Sequence, residues 1–182
     1  NNLQLNTVMP QTRSKHLHVS IAILSRAPVP GQTKTRLIPA LGAEGAADLH
    51  RRFLHATVRT ALQANLGPVT LWCTPDTSHP EFTACAALGP LTLRPQVVGD
   101  LGLRMLATID TPTLIIGTDC PALTQTHLQQ AANALNENDA VLIPAEDGGY
   151  VLIGLRQPEP AIFTDINWGT ALVLASTRQR LR

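Results

Sequence analysis

Charged residues are scarce in this chain of 182 residues: they make up 15% of it, and the formal net charge is only +1. No block of Lys or Arg occurs, so the electrostatic footprint of a nucleic-acid-binding protein is missing and no nucleic-acid partner is expected. Apolar residues reach 44%, which excludes an extended disordered chain. Because a surface with so few charges is compatible with pairing between subunits, a homodimer is an open expectation.

Long apolar runs are also missing. None approaches the roughly 18 residues that cross a bilayer, and the N-terminal stretch "NNLQLNTVMPQTRSKHLHV" lacks the apolar core of a signal peptide. We therefore expect a cytoplasmic protein without a membrane partner.

Cysteine and histidine give no sign of a disulfide framework or a zinc site. The three cysteines, Cys73, Cys85 and Cys120, are an odd number without a short spacing between any two of them. The six histidines form no HExxH pattern, and most of them are expected at the surface.

The length favours a single domain, with residues 1–17 as a flexible extension and residues 18–182 as the folded unit. Apolar runs rich in branched residues predict strands, and apolar residues at helical spacing predict helices between them. Thr124 is the expected N-cap of one helix, and a Glu-Asp-Gly-Gly turn separates the last two strands. Strands are predicted within 18–24, 66–74, 91–97, 112–123 and, as a pair, 139–155; helices within 42–65, 79–89, 124–138 and from residue 170 onward.

Strands that alternate with helices predict an α/β fold, a three-layer α/β/α arrangement with a mainly parallel twisted sheet and one antiparallel strand. Sheets of this kind bind ligands outside the carboxyl ends of their strands. Three polar clusters, at 26–36, 117–121 and 144–150, follow predicted strands. We therefore expect the functional site where these clusters meet.

The first cluster lies in "APVPGQTKTRL", and it matches neither common phosphate motif. Thr33, not glycine, precedes Lys34, so the Walker A pattern fails, and the glycines of a dinucleotide fingerprint are missing. Gly31 would let the backbone approach a ligand, while Lys34 and Arg36 at alternate positions could converge on one anion. A rigid connection with solvated cations explains the same residues equally well.

The second cluster, in "IIGTDCP", places Asp119 just beyond a buried strand, where an unpaired carboxylate is costly. Asp119 could be an oxygen ligand for Mg²⁺ or Mn²⁺, which take one or two carboxylates and fill their other positions with substrate phosphates and waters. The alternative is a side chain that caps the turn before Pro121.

Two further motifs carry charged residues next to glycines. In "GDLGLRM", Asp100 and Arg104 face each other across a predicted Gly-rich turn, where they either bond to each other or bracket a sugar or base edge. In "PAEDGGY", a tight hairpin alone explains the glycines, but one of the two adjacent carboxylates could be a general base toward an acceptor hydroxyl. Trp168 in "INWGT" is either a stacking platform or part of the core.

Taken in order, "RAPVPGQTKTRL", "GDLGLRM", "IGTDCPAL", "PAEDGGYVLIGL" and "INWGT" resemble a bacterial glycosyltransferase-A-like family of transferases associated with radical-SAM and selenoprotein-type gene clusters. That family is similar in fold to the molybdenum-cofactor and phospholactate guanylyltransferases. The resemblance covers roughly residues 19–178. This chain departs from the family pattern in two places. The segment between "GLRM" and "PTLIIG" is shorter than is usual in the family, and the acidic stretch that follows the last helix in many relatives is missing.

The resemblance implies a nucleotide-diphospho-sugar transferase fold and assigns roles to particular residues. The implied metal ligand is Asp119, with Mg²⁺ or Mn²⁺ as cofactor. Lys34 and Asp147 are the implied catalytic residues. The nucleotide-binding set is Arg26, Gly31, Lys34, Arg36, Asp100 and Arg104, and the acceptor-binding set is Glu146, Asp147, Gly148, Gly149 and Trp168.

The function expected from these features is glycosyl or nucleotidyl transfer from a nucleotide-sugar or nucleoside triphosphate to an unknown acceptor, with the metal and cations stabilising the diphosphate charge. The alternative is a nucleotide-binding module without catalysis, because the acidic stretch is missing.

Overall fold

Six strands form one sheet in the computed structural model, which describes residues 18–110 and 112–181. The predicted extension at 1–17 lies outside the described residues. The strands are β1 (Ser20–Arg26), β2 (Val69–Thr74), β3 (Leu91–Pro95), β4 (Thr113–Ile116), β5 (Ala140–Pro144) and β6 (Tyr150–Leu155). The helices are α1 (Ile38–Ala64), α2 (Pro80–Ala86), α3 (Leu101–Leu106), α4 (Gln125–Ala134) and α5 (Val173–Arg180), with 3₁₀ turns at Thr35–Leu37 and Pro160–Ile162.

The strand order is β3-β2-β1-β4-β6-β5, and the first four strands in the chain run parallel. β6 is antiparallel to both of its neighbours, so β5 points in the same direction as β4. This topology confirms the predicted α/β fold with one antiparallel strand.

Side chains that alternate along the strands divide between two cores, one on each face of the sheet. From β1, Ile21 and Ile23 pack with Leu54 of α1 and Leu128 of α4. The intervening Ala22 packs in a second cluster with Met105 of α3 and with Ile115, Ile153 and Phe163. Because both faces are covered, β1 and β4 read as continuous apolar runs, not as alternating ones.

Local signals explain where the main helices begin and end. In α1, a proline lies in the first turn, and Gly42, at φ 71°, interrupts the helical geometry. The uninterrupted part of α1 therefore follows Gly42, where the predicted helix begins. Asn65 ends it in the left-handed conformation. Thr124 caps α4 as predicted, because its side chain accepts from the His127 amide while the His127 ring accepts from the Thr124 amide.

Two predicted elements need correction. The turn predicted in "GDLGLRM" is the start of α3, because Asp100 caps it by accepting a hydrogen bond from the Leu103 amide at 2.8 Å. The last helix begins at Val173, three residues after the predicted start. Within the described ranges, no helix is long and apolar enough to span a membrane.

Candidate functional site

The three polar clusters follow strand ends at one edge of the sheet, and the structure joins two of them, at 26–36 and 117–121, in one cavity. β1, β4 and β5 run in the same direction, so their carboxyl ends at Arg26, Ile116 and Pro144 share this edge. The chain order reverses between β1 and β4, which makes the space between their carboxyl ends the topological switch point of the sheet. Open α/β sheets bind their ligands at such a point.

Lys34 and Asp119 form an ion pair across this switch point. The Lys34 ammonium lies 2.8 Å from the Asp119 Oδ1 atom, which joins the loop after β1 to the loop after β4. The Lys34 side chain is only 14% exposed, whereas that of Asp119 is 79% exposed. Phe53 of α1 restricts the lysine further, because the ammonium lies 4.7 Å from the centre of its ring. The Lys34 ammonium group therefore lies between the Phe53 ring on the protein side and the Asp119 carboxylate on the solvent side.

A cavity of about 560 Å³ opens beside this ion pair. Its size falls in the range of small-molecule sites. Three basic side chains contribute to its lining, so it favours an anion. The residues that line it are Arg26, Gln32, Thr33, Lys34, Thr35, Arg36, Leu37, His50 and Asp119.

Hydrogen bonds within the loop after β1 set its shape. The Arg26 guanidinium donates to the Gln32 carbonyl at 3.0 Å, and the Thr33 hydroxyl donates to the Val29 carbonyl at 3.3 Å. Gly31 has φ 79°, a conformation that side chains disfavour. Arg36 is exposed and, among the described residues, has no ion-pair or hydrogen-bond partner. Its charge is therefore available to a ligand.

His50 is a cavity residue that the sequence analysis did not single out. It is only 6% exposed. Its Nε2 atom lies 2.9 Å from the Arg26 carbonyl oxygen, so Nε2 carries the proton and donates it there. Desolvation by burial lowers its pKa, although the hydrogen bond to Arg26 opposes that shift. His50 therefore anchors, as a neutral ring, the point where the loop leaves β1.

A signal for His50 exists in the sequence. It stands at helical spacing from Ala46, Ala47 and Leu54, all of them on the buried face of α1. A histidine in that position needs a hydrogen-bond partner inside the protein, and the Nε2 atom of His50 finds one at the end of β1.

The two charged residues of the "GDLGLRM" motif are engaged by their own segment. Asp100 caps α3, and the Arg104 Nε atom donates to the Gly99 carbonyl at 2.9 Å. The structure therefore places Asp100 and Arg104 together in the segment of α3. Among the described residues, neither of them lines the cavity beside Lys34.

The Glu-Asp-Gly-Gly turn joins β5 to β6 and contacts the segment before α5. Gly148 has φ 84°, and a Cβ atom there would lie 2.2 Å from the Ala171 carbonyl oxygen. The Asp147 Oδ1 atom accepts from the Gly149 amide at 3.0 Å. This geometry agrees with the predicted tight hairpin and places the carboxylates of Glu146 and Asp147 at the carboxyl edge.

Trp168 packs against the second core cluster, which agrees with its interpretation as a core residue. Its Cζ2 atom would lie 2.9 Å from a Cβ atom at Gly102, so the ring and α3 are in close contact. The indole is half-buried there.

Divalent metal ligands are few at this edge. The described residues contain no group of three or more His, Cys, Asp or Glu side chains that could hold a metal ion. Asp119 alone fits Mg²⁺ or Mn²⁺ in the manner of sites that use one carboxylate and complete their shell with substrate phosphates and waters. Its ion pair with Lys34 engages Oδ1.

Residues 57–170 match a family model described as an uncharacterized protein conserved in bacteria, DUF2064. The chain belongs to this family. The matched range begins within α1, after His50, the residue of that helix that lines the cavity. The loop with Lys34 therefore lies outside the matched range, and Asp119 lies inside it. No curated protein matches the chain.

Solved structures extend the comparison to the whole sheet. A protein from Desulfovibrio desulfuricans G20, provisionally assigned as a nucleotide-diphospho-sugar transferase, is 32% identical, with a TM-score of 0.81 over 91% of this chain and 76% of its own. A nucleotidyl transferase from Methanothermobacter is 14% identical, with a TM-score of 0.62 over 91% and 84% of the two chains. A 4-diphosphocytidyl-2C-methyl-D-erythritol synthase from Anaerococcus prevotii is 12% identical, with a TM-score of 0.55 over 91% and 85%.

The two more distant structures show the fold alone, and all three agree with the nucleotide-diphospho-sugar transferase fold implied by the sequence motifs. The resemblance to a glycosyltransferase-A-like family is thereby confirmed, and the DUF2064 chain has the sheet topology expected of it.

Proposed function

We propose that this protein is a metal-dependent transferase that takes a nucleotide-sugar or a nucleoside triphosphate as donor. The observation that carries the proposal is the Lys34–Asp119 pair at the topological switch point, beside a cavity that also holds Arg36. The description of the 32% identical Desulfovibrio protein supports the same donor class.

The cations of the cavity suit a diphosphate. Lys34 and Arg36 would bind its oxygens, and both would stabilise the negative charge that grows on the leaving phosphate during transfer. Ion pairs with an exposed partner contribute only about 0.2–1 kcal/mol. A diphosphate, which carries more charge than Asp119, therefore replaces the carboxylate at Lys34 at little cost.

Once Lys34 contacts phosphate, Asp119 is available to a divalent cation. Asp119 would hold Mg²⁺ or Mn²⁺ together with phosphate oxygens, and the metal would neutralise diphosphate charge. The Arg26 side chain, which donates to the Gln32 carbonyl, and Gly31 would shape the loop around the phosphates, with Asp100 and Arg104 supporting the nucleotide side through the segment they stabilise.

On the acceptor side, Asp147 is the proposed general base. The turn engages only its Oδ1 atom in a hydrogen bond, which leaves the second oxygen for an acceptor hydroxyl. Gly148 and Gly149 set the turn, and Glu146 and Trp168 complete the proposed acceptor side. A cytoplasmic location and a homodimer stay predictions.

Thermal unfolding with a panel of nucleoside triphosphates and nucleotide-sugars, each with Mg²⁺, with Mn²⁺ or with EDTA, tests this function. A ligand present at about 100 times its dissociation constant stabilises the folded state by roughly 2.7 kcal/mol, a shift of several degrees. We expect at least one nucleotide to stabilise the protein with metal, and the Asp119→Asn variant to lose the metal-dependent part. Absence of stabilisation across the whole panel would overturn the proposal.

A nucleotide-binding module without catalysis is the second candidate. The observation that favours it is that Asp119 is, among the described residues, the one carboxylate of the cavity lining, and it is already paired with Lys34. This candidate predicts stabilisation by nucleotide that survives both EDTA and Asp119→Ala. The same panel therefore separates the two functions.

A further inference from the structure

Phe53 is an aromatic residue of α1 that no sequence motif singles out and that, within the described part of the chain, does not line the cavity. Its ring centre lies 4.7 Å from the Lys34 ammonium. A cation within about 6 Å of an aromatic ring is attracted by the negative face of that ring. The Phe53 side chain is half-buried and the lysine side chain is largely buried, so little water weakens this attraction.

Two side chains of α1, three residues apart, contact the loop after β1. His50 donates to the Arg26 carbonyl at the start of the loop, and Phe53 contacts Lys34 near its end. Residues three apart lie on the same face of a helix. One turn of α1 therefore holds both the backbone and the cation of the loop.

The two partners of the Lys34 ammonium differ in what they leave for a ligand. The Asp119 carboxylate accepts a hydrogen bond from it at 2.8 Å and offsets its charge. The Phe53 ring carries no net charge, so the ammonium beside it keeps its charge and its N–H donors for an oxygen anion. An anion that takes the place of the exposed carboxylate therefore meets an ammonium that the ring still holds.

A lysine without such a contact must be ordered at the moment of binding. Lysine is among the side chains that lose the most rotamer freedom when they are fixed. Where a group is already fixed in the free protein, that loss does not reduce the affinity for the ligand. The ring contact of Lys34 is thus expected to raise the affinity for an anion.

We propose that Phe53 is a positioning residue for the phosphate-binding lysine. Its ring holds the Lys34 ammonium at the switch point while the anion takes the place of the Asp119 carboxylate. Phe53 touches no phosphate and acts through Lys34 alone. That the anion is the diphosphate of a nucleotide rests on the proposed function, whereas the contact between ring and ammonium does not.

NMR spectroscopy of the protein without ligand tests the contact itself. The chain contains two lysines, Lys15 and Lys34, so isotope-labelled lysine gives two sets of signals, which Lys34→Met assigns. A ring that faces the ammonium shifts the Cε protons of Lys34 upfield. We expect Phe53→Leu to abolish this shift and Phe53→Tyr to retain it. A Lys34 signal without a ring-induced shift in the parent protein would overturn the inference.

Titration calorimetry with inorganic pyrophosphate measures the consequence for binding. We expect Phe53→Leu to lower the affinity about three- to tenfold, the range of a partly desolvated cation–π contact, and Phe53→Tyr to restore it. In a Lys34→Met background, Phe53→Leu should have almost no further effect. In an Arg36→Met background, the matched control, it should keep its full effect. This pattern is the non-additivity expected of two residues that act as one unit.

Equal losses from Phe53→Leu in the parent and in the Lys34→Met background would overturn the inference, because the ring would then act by shaping the protein. An unchanged affinity in Phe53→Leu, or a parent protein that does not bind pyrophosphate, would overturn it too. If the leucine variant does not fold, a fluorinated phenylalanine at position 53 keeps the ring and weakens its negative face. The same loss of affinity is then expected, and its absence contradicts the inference.

The nucleotide panel, measured on the same proteins, separates this inference from the proposed function. Coupling between Phe53 and Lys34 without stabilisation by any nucleotide would mean that only the proposed function fails. Metal-dependent stabilisation by a nucleotide without that coupling would mean that only the positioning role of Phe53 fails.

Discussion

Lys34 and Asp119 stand 85 positions apart in the sequence, and their side chains meet at 2.8 Å. Each follows the carboxyl end of a parallel strand, β1 for the lysine and β4 for the aspartate, and these strands are hydrogen-bonded neighbours. The contact is therefore a consequence of strand order. It places a sheltered cation under an exposed carboxylate, and the proposed diphosphate would take the place of that carboxylate.

Replacing Lys34 with methionine should lower affinity for the best nucleotide of the panel by about tenfold or more, because one charge-assisted contact to phosphate is lost. The free energy of unfolding should fall by less than about 1 kcal/mol, since the partner carboxylate is exposed and regains water. Titration calorimetry measures the affinity, and urea unfolding measures the stability.

Arg52→Met is the control for Lys34→Met. Arg52 also pairs with a carboxylate, Asp48, at 2.8 Å, but it lies on an exposed face of α1 and outside the cavity lining. Its loss should leave nucleotide affinity unchanged. Equal losses in both variants would mean that nucleotide responds to overall charge and not to the Lys34 site.

Alanine should be tolerated better at Gly31, in the loop after β1, than at Gly148, in the turn between β5 and β6. Gly148→Ala should lower the free energy of unfolding by roughly 2 kcal/mol or more, because its Cβ would meet Ala171 backbone at 2.2 Å in a left-handed conformation. Gly31→Ala keeps the φ penalty, about 1 kcal/mol, without a clash, since nothing lies within 4 Å of its Cβ. Urea unfolding of the two variants checks this order, and equal losses would contradict it.

The sequence predicted the edge of the sheet but not the distances across it. Apolar runs rich in branched residues indicated buried strands, and the polar residues after each run marked the strand ends that the topology brings together. The contact between Lys34 and Asp119 depends on the order of the strands and on the left-handed backbone of Lys34, at φ 46°, neither of which has a local sequence signal. The alternation of strands and helices along the chain predicts the direction of the strands, but it does not predict which strands are neighbours in the sheet.

Two further residues show where pattern reasoning failed. The glycines around Asp100 suggested a turn, yet the aspartate caps α3 and Gly102 allows close contact with Phe163. His50 matches no motif spacing, and its position on the buried face of α1 is what marks it as a buried residue. In both places the helical periodicity of the surrounding residues determines the structure.

His50 should make the protein less stable as the pH falls. Desolvation lowers its pKa in the folded state below the usual 6.5, so the unfolded chain takes up a proton first. The stabilisation is complete above about pH 6.5 and is lost as the pH falls toward the lower folded value. We expect the free energy of unfolding to decrease between about pH 7.5 and pH 5, and to decrease less in His50→Gln.

Urea unfolding at the two ends of that pH range measures the difference. Glutamine keeps a donor for the Arg26 carbonyl but does not titrate, which isolates the ionisation of the ring. The range stops near pH 5 because, below it, Asp48 and Asp76 begin to take up protons in the unfolded chain. In the folded protein, hydrogen bonds from Arg51 and Ser78 lower their pKa values, which would add a second pH dependence. An unchanged pH dependence in the variant would contradict the assignment.

The three cysteines should divide into one reactive thiol and two protected ones. Burial raises the pKa of Cys73 and of Cys85 to about 12, so almost no thiolate forms at neutral pH, and both side chains are enclosed by the core. Cys120, next to Asp119 at the switch point, is only partly buried. A disulfide reagent should therefore modify one thiol rapidly in the native protein and all three in denaturant.

Cys120→Ser should remove the rapid phase altogether. Because Cys120 adjoins Asp119, a bound nucleotide should also slow its modification in the parent protein by covering the loop after β4. Rapid modification that persists in Cys120→Ser would mean that one of the two core cysteines is accessible, which the fully buried positions of Cys73 and Cys85 forbid unless the sheet face beneath α2 opens.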